Sequence, residues 1–103
     1  MYDCPQNLRE EEEFLIPEWA PNKIVYQIFP SRFATTKDVP CDVWYKTPIT
    51  HKDNLQGNLR GIINHLDHIK ELGVDLIYMT PIFMSDSSHK YDTIDYYKID
   101  PSF

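Results

Sequence analysis

The stretch densest in chemically capable side chains is Met84 to Tyr97, reading Met-Ser-Asp-Ser-Ser-His-Lys-Tyr-Asp-Thr-Ile-Asp-Tyr-Tyr. Carboxylates and an imidazole can bond sugar hydroxyls. Tyrosine rings can pack against the apolar face of a pyranose. Asp, His and Tyr gathered in one loop suit a sugar-type ligand. The same composition also suits a polar loop whose tyrosines pack on a core and whose aspartates cap turns.

Other reactive residues are isolated. His65 and His68 are one helical turn apart, but no carboxylate or cysteine completes a metal set, so they read as surface histidines. Cys4 and Cys41 show no zinc or redox spacing and read as two unpaired thiols. Gly57 and Gly61 form a GxxxG, which is informative only in a membrane helix. No GxGxxG, P-loop, GxSxG or HExxH is present.

Three elements must position that loop. Lys23 to Phe29 is β-branched and aromatic, stops at Pro30, and reads as a buried strand with Ile24, Val25, Ile28 and Phe29 apolar. From Ser31 to Leu55 no period holds, and a loop of that length is usually functional. Asn58 to Leu72 is an amphipathic helix. Leu59, Ile62, Ile63, Leu66, Ile69 and Leu72 form its stripe, Asn58 its N-cap, and Gly73 its left-handed stop. Val74 to Thr80 reads as a second buried strand, ended by Pro81. Strand, loop, helix and strand make a βαβ unit, with parallel strands and a right-handed crossover. Two strands and one helix cannot cover both faces of a sheet, so the chain reads as part of a larger α/β architecture.

Ligands bind at the carboxyl ends of strands in such folds. Here those ends carry Pro30-Ser31-Arg32-Phe33 and Thr80-Pro81-Ile82-Phe83, and the second runs into the polar loop. Residues 1–22 read as a connector, with a charge run from Arg9 to Glu13 and with Trp19 expected to pin it to the body. Residues 23–103 form the α/β body. At 103 residues the chain is too short for a closed (β/α)₈ barrel, which needs about 250. Ten basic against sixteen acidic residues give a net charge of −6, which repels nucleic acid and anionic membranes. No apolar run approaches the roughly 20 residues of a membrane helix. Met1 to Pro5 lacks the basic and apolar regions of a signal peptide. A cytoplasmic location is the expectation.

Three blocks carry a family resemblance. PEWAPNKIVYQIFPSRF resembles the opening of the catalytic barrel in the alpha-amylase superfamily. GNLRGIINHLDHIKELGVDLIYMTPIF is similar to its first barrel helix and second strand. HKYDTIDYYKIDPSF resembles the loop that follows, and its HKYDT form is similar to the cyclomaltodextrinase, neopullulanase and maltogenic-amylase branch. The resemblance covers residues 17–103 with the blocks in the family's order.

It implies a partial (β/α)₈ TIM barrel: the first βαβ unit plus the loop after strand two. It implies a segment of a retaining α-glucan hydrolase, cleaving α-1,4 or α-1,6 bonds in maltooligosaccharides, cyclodextrins or pullulan. The family's catalytic carboxylates follow later strands, so no residue here is expected to be catalytic. By resemblance, Tyr91 stacks on the sugar on the non-reducing side of the cleaved bond. His89 stands at the rim of that subsite, and Asp92 braces the loop. The family's calcium stretches read here as Ala34-Thr35-Thr36-Lys37-Asp38 and Gln56-Gly57-Asn58. Lys37 puts a cation among the needed oxygens, so no metal and no cofactor is expected. The competing expectation is a small non-catalytic binding domain with a barrel-like βαβ unit. The isolated chain is expected to self-associate through its uncovered strand edges and apolar faces.

Overall fold

The computed structural model describes residues 15–103. The Arg9–Glu13 charge run and Cys4 lie outside the described residues. The chain contains strand β1 (Val25–Ile28), helical turns α1 (Pro30–Phe33) and α2 (Cys41–Trp44), helices α3 (Leu59–Asn64) and α4 (Leu66–Glu71), and strands β2 (Leu76–Met79), β3 (Phe83–Met84) and β4 (Asp95–Ile99). β1 and β2 pair in parallel, with Val25 opposite Leu76 and Ile28 opposite Met79. The expected βαβ unit is therefore present, with strands shorter than the apolar runs that announced them.

The helix starts where its chemistry dictates. The Asn58 side chain accepts a hydrogen bond from the Gly61 N–H at 2.8 Å, relieving one of the unpaired donors of the first turn. Gly73 ends it at φ +82°, a conformation that costs glycine little. Between these ends the expected single helix divides at His65. Its backbone N–H bonds the Ile62 carbonyl at 3.0 Å, one residue short of the helical partner. The Gly61 carbonyl is met instead by the His65 ring Nδ1 at 2.8 Å. A side-chain donor has replaced the backbone donor, and the turn tightens there.

The GxxxG has a meaning that the sequence alone did not reveal. A β-carbon on Gly57 would lie 2.3 Å from the Pro30 carbonyl oxygen. The backbone after β1 runs directly over the helix start, where Gly57 N–H bonds Ser31 O at 2.8 Å and Asn58 N–H bonds Ala34 O at 2.9 Å. That contact folds the long loop back onto the helix and shortens it with α1 and α2.

The core is small. Ile28, Ile62 and Ile69 are buried together, with Tyr26, Phe33, Leu59, Val74 and Ile77 packed around them. Each fully buried isoleucine contributes roughly 1.5–3 kcal/mol. The expectation of two buried strands is corrected: Ile24, Val25, Leu76, Tyr78 and Met79 are exposed. Only half of the helix stripe is sequestered, because Ile63, Leu66 and Leu72 are exposed as well. A two-stranded sheet has two faces and two outer edges, and one broken helix covers a single patch. Trp19 is 59% exposed and does not pin the lead-in. Its segment is a local turn closed by the Ala20 N–H on Pro17 O.

β3 and β4 form an antiparallel pair within the stretch read as loop. Phe83 faces Ile99 and Met84 faces Asp95, with a bulge between. Phe83 and Tyr96 meet edge to face at 5.6 Å. This pair returns the chain beneath the polar segment that it encloses.

Candidate functional site

The polar segment leaves the carboxyl end of β2, where the Thr80 N–H bonds Ile28 O at 3.0 Å. Ser85 is buried and its N–H donates to Asp100 Oδ2 at 3.2 Å. Asp92 gathers the loop: Ser85 Oγ donates to it at 2.6 Å, and Ser87 Oγ donates to the same oxygen. These two hydroxyls hold the Asp92 carboxyl below the usual carboxylate range.

His89 and Tyr91 stand on the outside of this turn. The Tyr91 N–H donates to His89 Nδ1 at 3.1 Å. Nδ1 is therefore the acceptor nitrogen, and Nε2 carries the proton of the neutral ring. The two rings lie 5.9 Å apart between centroids, tilted by 36°. Tyr91 is 59% exposed. The loop thus presents one aromatic face and one imidazole donor side by side.

A cleft of about 350 Å³ adjoins His89, lined by His51, Lys52, Asp86, Ser87 and Ser88. It is closed on its far side by the segment before the helix. Ser88 Oγ donates to the His51 carbonyl at 2.5 Å. That segment is itself anchored: Arg32 donates to Thr50 O at 2.9 Å, and Lys46 to Asp53 at 2.5 Å. The Lys46 ammonium and the Thr50 N–H pull the Asp53 pKa down to about 2. His51 and Lys52 were absent from the sequence-based site. Nothing in their spacing marks them, and only the long loop that contains them was a signal.

Lys90 and Asp100 were also missed. Lys90 is 4% exposed, and its ammonium lies 3.0 Å from Asp100 Oδ2. Burial alone would push the Asp100 carboxyl up. Hydrogen bonds from Ser102 and Lys90 outweigh it and hold the group well below the usual range.

The residues at the family's calcium stretches do not fit a divalent cation. Asn58 Oδ1 is committed to Gly61, Thr35 Oγ1 donates to Gln56 O at 2.8 Å, and the Lys37 ammonium reaches Ser102 O at 2.5 Å. Among the described residues no three His, Cys, Asp or Glu side chains gather as metal ligands, and no helix is long and apolar enough to cross a membrane. His65 is turned to Gly61 and to the edge of Phe33, 6.0 Å away.

The family model "Alpha amylase, catalytic domain" matches residues 27–103. The cyclomaltodextrinase of Thermoanaerobacter pseudethanolicus is 48% identical over 98 residues, which cover 91% of this chain and 17% of that protein. The intracellular maltogenic amylase of Bacillus subtilis is 43% identical over 100 residues, covering 93% and 17%. The cyclic α-maltosyl-(1→6)-maltose hydrolase of Arthrobacter globiformis, solved with maltose, superposes with a TM-score of 0.75 at 45% identity. That match covers 84% of this chain and 21% of the solved one. The chain thus spans about a sixth of the length of the curated relatives that it matches.

Proposed function

The chain belongs to the alpha-amylase catalytic-domain family, in the branch of the cyclomaltodextrinases, neopullulanases and maltogenic amylases, and from that membership we propose that it is the first βαβ unit, with the following loop, of a (β/α)₈ barrel in a retaining α-glucan hydrolase. Residues 23–103 are the barrel segment and residues 1–22 its lead-in. The observation that carries the reading is the pairing of Tyr91 with His89 beyond the carboxyl end of a parallel strand.

Tyr91 offers its ring to the apolar face of the glucosyl unit on the non-reducing side of the scissile bond. His89 Nε2–H donates to a hydroxyl of the same unit. Asp92 has both its hydroxyl donors inside the loop, so it braces the turn and does not touch sugar. Retaining hydrolysis needs a nucleophilic carboxylate and an acid about 5–5.5 Å apart. No residue of this segment is assigned either role, and both belong to elements after the second strand.

The substrates are α-1,4- or α-1,6-linked glucans: maltooligosaccharides, cyclodextrins or pullulan. A maltogenic amylase named intracellular among the relatives supports a cytoplasmic location. By itself the segment is inactive and self-associates.

The test compares the 103-residue chain with a longer protein that carries it. Release of reducing sugar from maltotriose and a cyclodextrin is expected from the longer protein and not from the chain. Turnover by the chain alone, above a buffer blank, overturns the reading.

A further inference from the structure

Lys90 has no part in the roles above, yet its ammonium is buried and fully bonded. Its three ammonium protons have three acceptors: Asp100 Oδ2 at 3.0 Å, Ser87 O at 3.2 Å and Ser85 O at 3.3 Å. Asp100 is satisfied in turn, taking the Ser85 N–H on Oδ2 and the Ser102 N–H and Oγ–H on Oδ1. Both charged side chains are less than one-tenth exposed.

The backbone makes the arrangement more specific. Lys90 has φ +60°, the left-handed region that disfavours a residue with a β-carbon. Its side chain turns inward, while His89 and Tyr91 on either side stay exposed. A buried ion pair is a poor way to gain stability, since well-packed apolar residues often serve as well or better. It is a good way to impose one geometry, because each charge tolerates few partners at such burial.

We propose that Lys90 is a positioning residue: its ammonium, locked to Asp100 and to the Ser85 and Ser87 carbonyls, sets the directions in which His89 and Tyr91 meet the sugar. The proposal rests on the sugar-binding reading of Tyr91 and His89. Lys90 itself touches no substrate. Without it the loop can close on Asp92 alone, and the two outward side chains lose their fixed relation to the barrel end.

The experiment uses the longer active protein with a maltooligosaccharide substrate. Lys90→Met alone leaves the Asp100 charge buried and is expected to lower both Tm and kcat. Lys90→Met with Asp100→Asn removes both charges, and most of the lost Tm is expected to return. In that variant kcat is expected to stay about tenfold or more below wild type, with KM changed less, because small misplacements at a reacting centre are costly. Introduced into a Tyr91→Ala background, the same pair of substitutions is expected to lower kcat by less than twofold. Two residues acting through one subsite are not additive. Should the Met variants not fold, Lys90→Arg alone keeps a cation opposite Asp100 and is expected to lower kcat about tenfold with a smaller loss of Tm, since a planar fork cannot meet three acceptors arranged for an ammonium; an unchanged kcat overturns the proposal. Recovery of kcat together with Tm, or losses that multiply in the Tyr91→Ala background, overturns the proposal. A wild-type activity that Tyr91→Ala leaves intact overturns the reading of Tyr91 itself, and the positioning role falls with it.

Discussion

Gly61 lies against Ala34 so closely that a β-carbon on the glycine would sit 2.3 Å from the Ala34 carbonyl oxygen. The close approach joins the first turn of α3 to the chain leaving β1. Beside it the Gly57 N–H bonds Ser31 O and the Asn58 N–H bonds Ala34 O, which seats the start of the long β1–α3 connection on the helix.

Gly61→Ala is therefore expected to destabilise the fold. In an open helix the substitution would gain up to about 1 kcal/mol. Here the obstacle is backbone, which cannot rotate away, and overpacking of this kind costs roughly 1–3 kcal/mol. The clash outweighs the propensity. Thermal unfolding should show a lower Tm for Gly61→Ala, whereas an unchanged or higher Tm would mean that the two segments separate freely.

Tyr91→Ala in the longer protein should lower kcat/KM by one to two orders of magnitude with the fold intact. Aromatic stacking contributes about 1–3 kcal/mol, and each 1.4 kcal/mol is a factor of ten. Tyr91→Phe keeps the ring and should lose far less. Equal losses in the two variants, measured by steady-state kinetics on maltotriose, would put the effect in the hydroxyl group instead.

Order in the segment around Thr50 should depend on acid in a specific window. The folded pKa of Asp53 is lowered from 3.8 to about 2, first by Lys46 and then by the Thr50 N–H. A depressed carboxylate stabilises fully above its unfolded value and loses that contribution as pH falls through the folded one. The Thr50 amide, bonded to Asp53 at 2.8 Å, reports this directly. Its NMR shift should hold above about pH 4 and move with a midpoint near 2. A midpoint near 4, or an unchanged titration in Asp53→Asn, would show that the anchor is not formed in solution.

The 103-residue chain should associate with itself. Tyr78, Met79, Ile63, Leu66 and Leu72 are exposed on the strands and helices. Each strand of the parallel pair has one unpaired edge within its own two-stranded sheet. The net charge of −6 opposes open-ended growth and favours a small closed oligomer. Sedimentation over a tenfold concentration range should show a rising mean mass. A single monomer mass throughout, with concentration-independent unfolding, would mean that the chain tolerates these surfaces in water.

The local and periodic features were legible in short stretches of residues. Asn58 and Gly73 bound the helical region because a cap acceptor and a left-handed stop act within one turn. Val25–Ile28 and Leu76–Met79 pair in parallel because a helix between two apolar runs leaves no other short connection. The Met84–Tyr97 stretch was legible as a candidate loop through its density of Asp, His and Tyr, whereas the roles of Tyr91 and His89 within it are implied only by the family resemblance of HKYDT. Which residues of that stretch face inward depends on how the chain folds around it. Nothing in the sequence pairs Lys90 with Asp100, ten positions later, and the two meet across the short β3–β4 pair. Gly57 and Gly61 read as filler until the chain leaving β1 crosses them. Ile24 and Ile28 both read as buried, since they belong to one apolar run, and only Ile28 is. One cause is common to all three. Periodicity and capping depend on neighbours within a few residues, whereas burial, close approach and charge pairing depend on which distant backbone fills the space, and no local pattern encodes that.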